Sequence, residues 1–336
     1  MSQNTGILSA AFEGRGTFHT LIIGDCREMR EIADNSIHLV VHSPPYFSAP
    51  HDYRDMFPSY PVYLDLLRSV AKELWRVVAE GRIVALIIDD MLVDGVKYPI
   101  VADAIGIYQS AGFTYRDRII WKKPDGYVTR SRRSGVLVQN PYPMYYYPDN
   151  LLESILIFQK GKFNYKSIHE DVRERSRKQI EAYLQKNRKW HLNLWEITNV
   201  LPNSKLEKGI AAFPHELANR LITLYSYEGE TVLDCFVGSG TTMKAALELQ
   251  RNSIGVEIDS HLLPTIRKKI RSAKTTTPAS FITIERLTPP NNLSPKPVAT
   301  GAPPQSNPDS DPPRETKLQQ KQALLTPLSE PPMAAR

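Results

Sequence analysis

Ser43-Pro44-Pro45-Tyr46 directly follows the apolar, β-branched run Ile37-His38-Leu39-Val40-Val41-His42. That run reads as a buried strand, and Ser43 begins where it stops. Each proline lacks an N–H and holds φ near about −65°, so the backbone leaving the strand is stiff and its carbonyls stay outside any ladder. Such a turn can hold an amino group between Ser43 Oγ and the Pro44 C=O, while Tyr46 offers a flat face to a planar ring. An ordinary Pro-Pro turn has the same residues, so the tetrapeptide alone leaves both readings open.

A second chemical stretch runs Thr231-Val232-Leu233-Asp234-Cys235-Phe236-Val237-Gly238-Ser239-Gly240-Thr241-Thr242, followed by the helix-forming Met243 to Gln250. A strand ends in a Gly-rich turn that opens a helix, so backbone can approach a ligand closely and helix N–H groups point at it. Ser253 to Val256 then forms another strand ending in Glu257, an acid placed to accept both hydroxyls of a ribose. A dinucleotide fingerprint needs a third glycine where Met243 stands, and no Gly-Lys-Ser/Thr loop for a triphosphate is present. A ligand with a ribose and no phosphate remains, and S-adenosylmethionine is the obvious one.

These stretches require a framework of strands and helices. Thr20 to Ile23 reads as a short strand closed by Gly24-Asp25, and Cys26 to Ile32 as a brief helix. Phe47 to Ser59 is an aromatic, Pro-containing loop able to close over a site. Apolar residues at i, i+3, i+4 spacing predict an amphipathic helix over Tyr60 to Val78, ended by Gly81. Ile83 to Ile88 reads as a strand covered on both faces, Tyr98 to Ala111 as a helix, and Phe113 to Trp121 and Ser154 to Phe158 as strands. Phe213 to Leu224 is a further amphipathic helix with Pro214 in its first turn.

With 336 residues the chain can bury a substantial core, and its formal charge of +6 favours a polyanionic partner. Cys26 and Cys235 are its two cysteines, so neither a disulfide framework nor a Cys-based zinc site is supported. The first residues lack a signal-peptide pattern and no apolar run reaches membrane-spanning length, which predicts a soluble, cytoplasmic protein without a membrane partner. Arg130, Arg132 and Arg133 precede Tyr142, Tyr145, Tyr146 and Tyr147, an interleaving suited to phosphates and stacked bases. Lys160 to Lys189 holds ten Lys or Arg against four Asp or Glu, an excess assigned mostly to a helix-compatible core over Glu170 to Asn187. Arg173, Arg175 and Lys178 of that helix are candidate nucleic-acid contacts; a charged, solvated face has the same composition.

On these residues the sequence resembles the amino-group DNA methyltransferases of bacterial restriction-modification systems, over Thr17 to about Arg271. Ser43-Pro44-Pro45-Tyr46 is similar to that family's catalytic motif, Asp234 to Thr242 to its D-x-F-x-G-x-G cofactor loop, and Glu257 to its ribose acid. Phe213-Pro214 with the following helix resembles the segment flanking the methionine end of the cofactor. The chain departs from many Ser-type relatives in having Gly209-Ile210 where they have His-Pro. The catalytic motif precedes the cofactor loop by about 190 residues, the order of the β-class.

The resemblance implies an α/β, Rossmann-like methyltransferase fold, circularly permuted, with a mostly parallel seven-stranded sheet, helices on both faces and a small inserted recognition region. It implies S-adenosylmethionine as cofactor and double-stranded DNA as substrate, and a cognate restriction endonuclease acting on the same site without a stable complex. Asp25 then matches the position contacting the cofactor's adenine, and Phe236, Gly238, Ser239, Gly240, Thr241 and Thr242 the loop beside it. The expected organisation is an N-terminal extension (1–16), a catalytic half (17–160), a basic recognition insert (161–205), a cofactor-binding half (206–273) and a Pro-rich disordered tail (274–336). That tail holds 13 of the 26 prolines, so it cannot order itself, apart from a brief strand at Phe281 to Ile284.

An exocyclic amine is a poor nucleophile until both N–H bonds are held, which Ser43 Oγ and the Pro44 carbonyl can do once the base has left the stack and lies on Tyr46. No metal is needed. Ser in the first motif position favours, by the resemblance, cytosine N4 over adenine N6. Adenine N6 stays as the alternative, and an inactive methyltransferase-like DNA-binding protein as a remoter one.

Overall fold

The computed structural model describes residues 16–286 apart from 49–55, 125–142, 145–150, 187–188, 200–211 and 276. In chain order the elements are β1 (Thr17–Ile23), β2 (Ile37–His42), α1 (Tyr60–Val77), β3 (Val78–Ile88), β4 (Met91–Val93), β5 (Val96–Tyr98), α2 (Ile100–Ser110), β6 (Thr114–Lys122) and β7 (Leu152–Gln159). There follow α3 (Glu170–Lys186), β8 (Leu194–Glu196), α4 (His215–Tyr225), β9 (Thr231–Asp234), α5 (Thr241–Glu248), β10 (Asn252–Glu257), α6 (Leu263–Arg271) and β11 (Ala279–Glu285).

Nine strands form one sheet in the order β11-β1-β10-β9-β2-β3-β7-β6-β8. From β11 to β3 every pairing is parallel; β7 runs antiparallel to both β3 and β6, and β8 is parallel to β6. Eight of these answer to expected strands, β11 to the brief one at Phe281 to Ile284, and the three-residue β8 is the addition; β11 and β8 stand at the two edges and take the sheet from seven strands to nine. Although β1 and β2 are consecutive in the chain, β10 and β9 lie between them. The two motif blocks thereby become neighbours, through Leu39↔Val232 and Val40↔Leu233.

The core divides by strand parity. On β3, Val84, Leu86 and Ile88 join α1 and α2 on one face, while Ile83, Ala85 and Ile87 join α4 and α5 on the other. On β7, Leu156 and Phe158 divide from Ile155 and Ile157 in the same way. Both faces are covered, which is why these strands are continuous apolar runs and not alternating ones.

Several expectations need correction. Cys26–Ile32 forms turns and no helix: the Met29 N–H donates to Glu73 Oε2 at 2.9 Å and the Met29 carbonyl accepts from Arg76 at 2.9 Å, so α1 side chains take the bonds a helix would have used. Gly81 does not end α1, which stops at Val77; it lies inside β3 at φ 78°, where a Cβ would come within 2.4 Å of Phe163 Cα. The folded body also passes residue 274, where the strand expected at Phe281 to Ile284 is present and longer, as Ala279–Glu285. β11 aligns with all of β1, from Thr17↔Ala279 to Ile23↔Glu285, because its β-branched residues supply an added strand. Residues 287–336, and with them most of the expected tail, lie outside the described residues.

Candidate functional site

The carboxyl ends of parallel strands β1, β10, β9 and β2 lie along one border of the sheet. They deliver Asp25, Glu257, Asp234 to Gly240 and Ser43 to Tyr46 respectively, and this is the border where ligands bind in open α/β sheets. Directly after β2, Pro44 is buried, and Ser43, Pro45 and Tyr46 are half-buried. The Tyr46 hydroxyl donates to Glu153 Oε2 at 3.1 Å. Just before the motif, fully buried His42 stacks on Phe236 of the neighbouring loop, with centroids 5.9 Å apart and planes at 11°. Burial lowers the His42 pKa to about 3, so this ring is a neutral spacer between the two motifs.

Asp234 begins the Gly-rich loop by accepting from the Phe236 N–H at 3.0 Å. Burial pushes its carboxyl up to about 6, against the opposing pull of the Thr242 hydroxyl and the Phe236 N–H. Gly238 and Gly240 have φ of 53° and 91°, left-handed conformations that glycine adopts without steric cost. Gly240 caps α5, whose first residues Thr241 and Thr242 are buried. Ser239 Oγ and Thr241 Oγ1 are turned inward and accept from Lys269 Nζ at 2.8 and 2.6 Å. The loop therefore offers a ligand its backbone more than these hydroxyls.

Glu257 ends β10 beside that loop. Its Oε2 accepts from the Gly238 N–H at 2.8 Å and its Oε1 from the Asp259 N–H at 3.0 Å. Each oxygen keeps a lone pair for a ligand hydroxyl. Burial raises this carboxyl to about 7, above the pull of the two N–H groups. Asp25 is buried; its Oδ1 accepts from the Arg27 N–H at 2.8 Å and its Oδ2 from Arg27 Nε at 2.8 Å and Nη2 at 2.6 Å. The turn it occupies is braced by Arg286, which donates to the Asp25 carbonyl at 2.7 Å. Phe213 is buried in the core layer shared with α4, and Pro214 caps that helix.

The candidate nucleic-acid contacts divide. Arg130, Arg132 and Arg133 lie outside the described residues, as do Tyr142, Tyr145 to Tyr147 and Gly209-Ile210. On α3, Arg175 pairs with Glu228 at 3.1 Å, Lys178 with Glu174 at 3.6 Å, and Arg173 lies 5.5 Å above the Tyr165 ring. The helix carries five basic residues against four acidic ones, so most of the local excess sits in its flanks and not on the helix itself. Within those flanks Lys160 is buried, donating to Asn35 Oδ1, the Trp75 carbonyl and the Val78 carbonyl at 2.8, 2.5 and 2.8 Å. It is a structural cation.

Sequence reasoning missed Glu153, Lys123, Arg27, Lys269 and Arg286. Glu153 begins a strand that runs opposite to its neighbours, so its place at this border is invisible until strand directions are known. Arg27, two residues after Asp25, carried the one local signal, since a charge at that spacing can fold back onto a turn acid.

Residues 37–268 match the DNA methylase family model for N6 and N4 methylation. The type II methyltransferase M.MjaI of Methanocaldococcus jannaschii is 35% identical over 287 residues, 76% of this chain and 91% of that protein. M.MthZI of Methanothermobacter thermautotrophicus is 34% identical over 280 residues, 76% of this chain and 77% of that one. Among solved structures, a Thermus thermophilus protein assigned as a DNA modification methylase, in complex with S-adenosyl-L-methionine, aligns with TM-score 0.62 and 28% identity over 80% of this chain and 99% of its own. The PvuII cytosine-N4-specific methyltransferase shares the fold at TM-score 0.54 and 17% identity, over 81% of this chain and 98% of its own. With its catalytic-type motif ahead of its glycine loop and both on adjacent strands of one sheet, the chain belongs to the N6/N4 amino-group DNA methylases, in their β-class arrangement.

Proposed function

We propose that this chain methylates the N4 amine of cytosine in double-stranded DNA, on a base turned out of the helix, and protects its recognition site in a restriction-modification system. One observation carries the reading: Ser43-Pro44-Pro45-Tyr46 leaves β2 beside the glycine loop that leaves β9. An amine-holding turn and a ribose-type site on adjacent strand ends suit transfer between two bound molecules.

S-adenosylmethionine fits the residues present. The Glu257 carboxylate, held by two N–H groups, has a lone pair left on each oxygen for vicinal hydroxyls. The loop at Gly238 to Gly240 lacks the third glycine and the lysine that phosphates call for. Asp25, Phe213, Pro214, Asp234, Phe236, Ser239, Thr241 and Thr242 complete the proposed cofactor surface. When bound, S-adenosylmethionine supplies an electrophilic methyl group on a sulfonium.

The chain's own residues prepare the acceptor. Ser43 Oγ and the Pro44 carbonyl accept the two amine hydrogens, which draws the nitrogen lone pair out of the ring system, and Tyr46 offsets part of the unstacking cost by taking the base on its face. These bonds strengthen as the nitrogen becomes tetrahedral, so they act on the transition state more than on binding. Ser43, the first residue of the motif, carries the choice of cytosine through the family resemblance. Arg130, Arg132, Arg133, Arg173, Arg175 and Lys178 are the proposed phosphate contacts.

Sequencing that distinguishes N4-methylcytosine from N6-methyladenine, on DNA from cells expressing the chain, tests the reading. N4-methylcytosine at one recurrent sequence is expected. N6-methyladenine there would overturn the choice of base, and unmodified DNA would overturn the activity.

A further inference from the structure

Beyond the motif itself, one cluster at the same border is unaccounted for: Glu153 with Lys123. Because β7 is antiparallel to β3, with Ile88↔Ser154 in register, the start of β7 lies at the carboxyl end of β3. β6 runs antiparallel to β7, with Trp121↔Glu153, so Lys123 follows the end of β6 at the same place. There the Lys123 N–H donates to the Leu151 carbonyl at 2.8 Å and closes the two strand ends together.

Lys123 Nζ lies 2.5 Å from Glu153 Oε1, both side chains are only about 15% exposed, and the ammonium sits 5.4 Å over the Trp121 ring. The other carboxylate oxygen of Glu153 takes the Tyr46 hydroxyl at 3.1 Å. Burial, and then the nearby Glu153 and Asp89 carboxylates, push the Tyr46 phenol well above its usual range, so it remains a donor. A carboxylate is a stronger acceptor than a neutral group, and a pair held at both oxygens has little freedom left.

We infer that Glu153 is a positioning residue for methyl transfer: held by Lys123, it fixes the plane of the Tyr46 ring through the phenol oxygen. This rests on the proposal that Tyr46 receives the turned-out base. A stacking face helps only when its plane is set relative to the amine-holding Ser43 and Pro44, and a tyrosine without a partner for its hydroxyl swings about its Cα–Cβ bond. Lys123 serves a second purpose, cancelling a carboxylate charge that would repel the phosphates of an approaching strand.

The test is a double-mutant cycle in the full chain, read as the single-turnover rate of tritiated methyl transfer to unmodified DNA, with S-adenosylmethionine affinity measured by calorimetry. Glu153→Ala and Tyr46→Phe are each expected to slow transfer about tenfold, the loss of one hydrogen bond to a charged group, with cofactor affinity unchanged. The double variant should be no slower than either single one, and Glu153→Gln, whose amide oxygen still accepts the phenol hydrogen, should recover most of the rate. A merely structural Glu153 would give additive losses and no rescue. Additive losses, or a Glu153→Ala enzyme as fast as the parent, would overturn the inference. Tyr46→Ala separates this from the underlying reading: a Tyr46→Ala enzyme that transfers methyl at the parent rate overturns the base-stacking role, and the inference with it.

Discussion

As the proposed ribose acceptor, Glu257 should make cofactor binding strengthen with rising pH. Its carboxyl is raised to about 7 in the folded chain by burial at the end of β10, against an ordinary value near 4.5. A ribose recognised through two hydroxyls needs the ionised form as acceptor. With a pKa of about 7 the ionised fraction is about one-tenth at pH 6 and about nine-tenths at pH 8, so S-adenosylmethionine should bind about ninefold more weakly at pH 6. The stability of the free protein should move the other way. A raised carboxyl pKa means that the folded state holds a proton the unfolded chain releases, so this contribution is best below about pH 4.5 and is lost as pH rises through about 7. At this buried group the effect is worth roughly 3 kcal/mol. Isothermal calorimetry from pH 6 to 8.5, on the parent and on Glu257→Gln, isolates the effect. In the variant the amide cannot accept from both the Gly238 and Asp259 N–H groups, so affinity should fall and the ratio of parent to variant should rise with pH. A ratio that stays flat across this range would refute the assignment of Glu257 as the ribose acceptor.

Three further outcomes follow from the geometry. Neutralising Arg173, Arg175 and Lys178 together should weaken DNA binding and reduce its salt slope by up to about 0.9 per lost phosphate contact; an unchanged slope would make α3 a solvated face whose cations serve Glu174 and Glu228. Lys160→Met should cost about 1 to 3 kcal/mol in chemical denaturation, since the buried bond to the Val78 carbonyl and the part-buried bonds to the Trp75 carbonyl and Asn35 Oδ1, at the join of α1 and β3, lose their donor. Gly255→Ala should cost about 1 to 3 kcal/mol and also weaken cofactor binding, because its Cβ would stand 2.5 Å from Val237 Cγ2 and 2.6 Å from Met243 Sδ and push the glycine loop away from β10; a variant with parental affinity would show that the loop tolerates the shift.

The parts of this molecule that were legible in its sequence share one property: their signal is local. Ile37 to His42, Ile83 to Ile88 and Thr231 to Asp234 are apolar runs covered on both faces, and the glycines at 238 and 240 occupy backbone conformations that favour their type. Cys26–Ile32 misled for the complementary reason. Its helix-compatible residues find their backbone partners on Glu73 and Arg76, more than forty positions away, and no local pattern records that. The charges of Lys160 to Lys189 misled similarly, because a count of lysines and arginines does not reveal that one of them is buried under α1 and others are paired along a helix.

The site is therefore a property of strand order more than of motif order. Between Ser43 and Asp234 lie about 190 residues, yet the two sit on adjacent strands because β1 pairs with β10 and leaves β2 to pair with β9. Asp25, Glu257 and the glycine loop are reached by the same rule, each following the carboxyl end of a parallel strand. Glu153 is reached by the opposite rule. It stands at the start of β7, and the reversal of that one strand brings an acid to the border where Asp25, Glu257, the glycine loop and the Ser43 motif emerge at the ends of parallel strands. A search for motifs after strands finds the proposed amine-holding turn and the proposed ribose acceptor; Glu153, the residue inferred to orient Tyr46, becomes visible only once the direction of β7 is known.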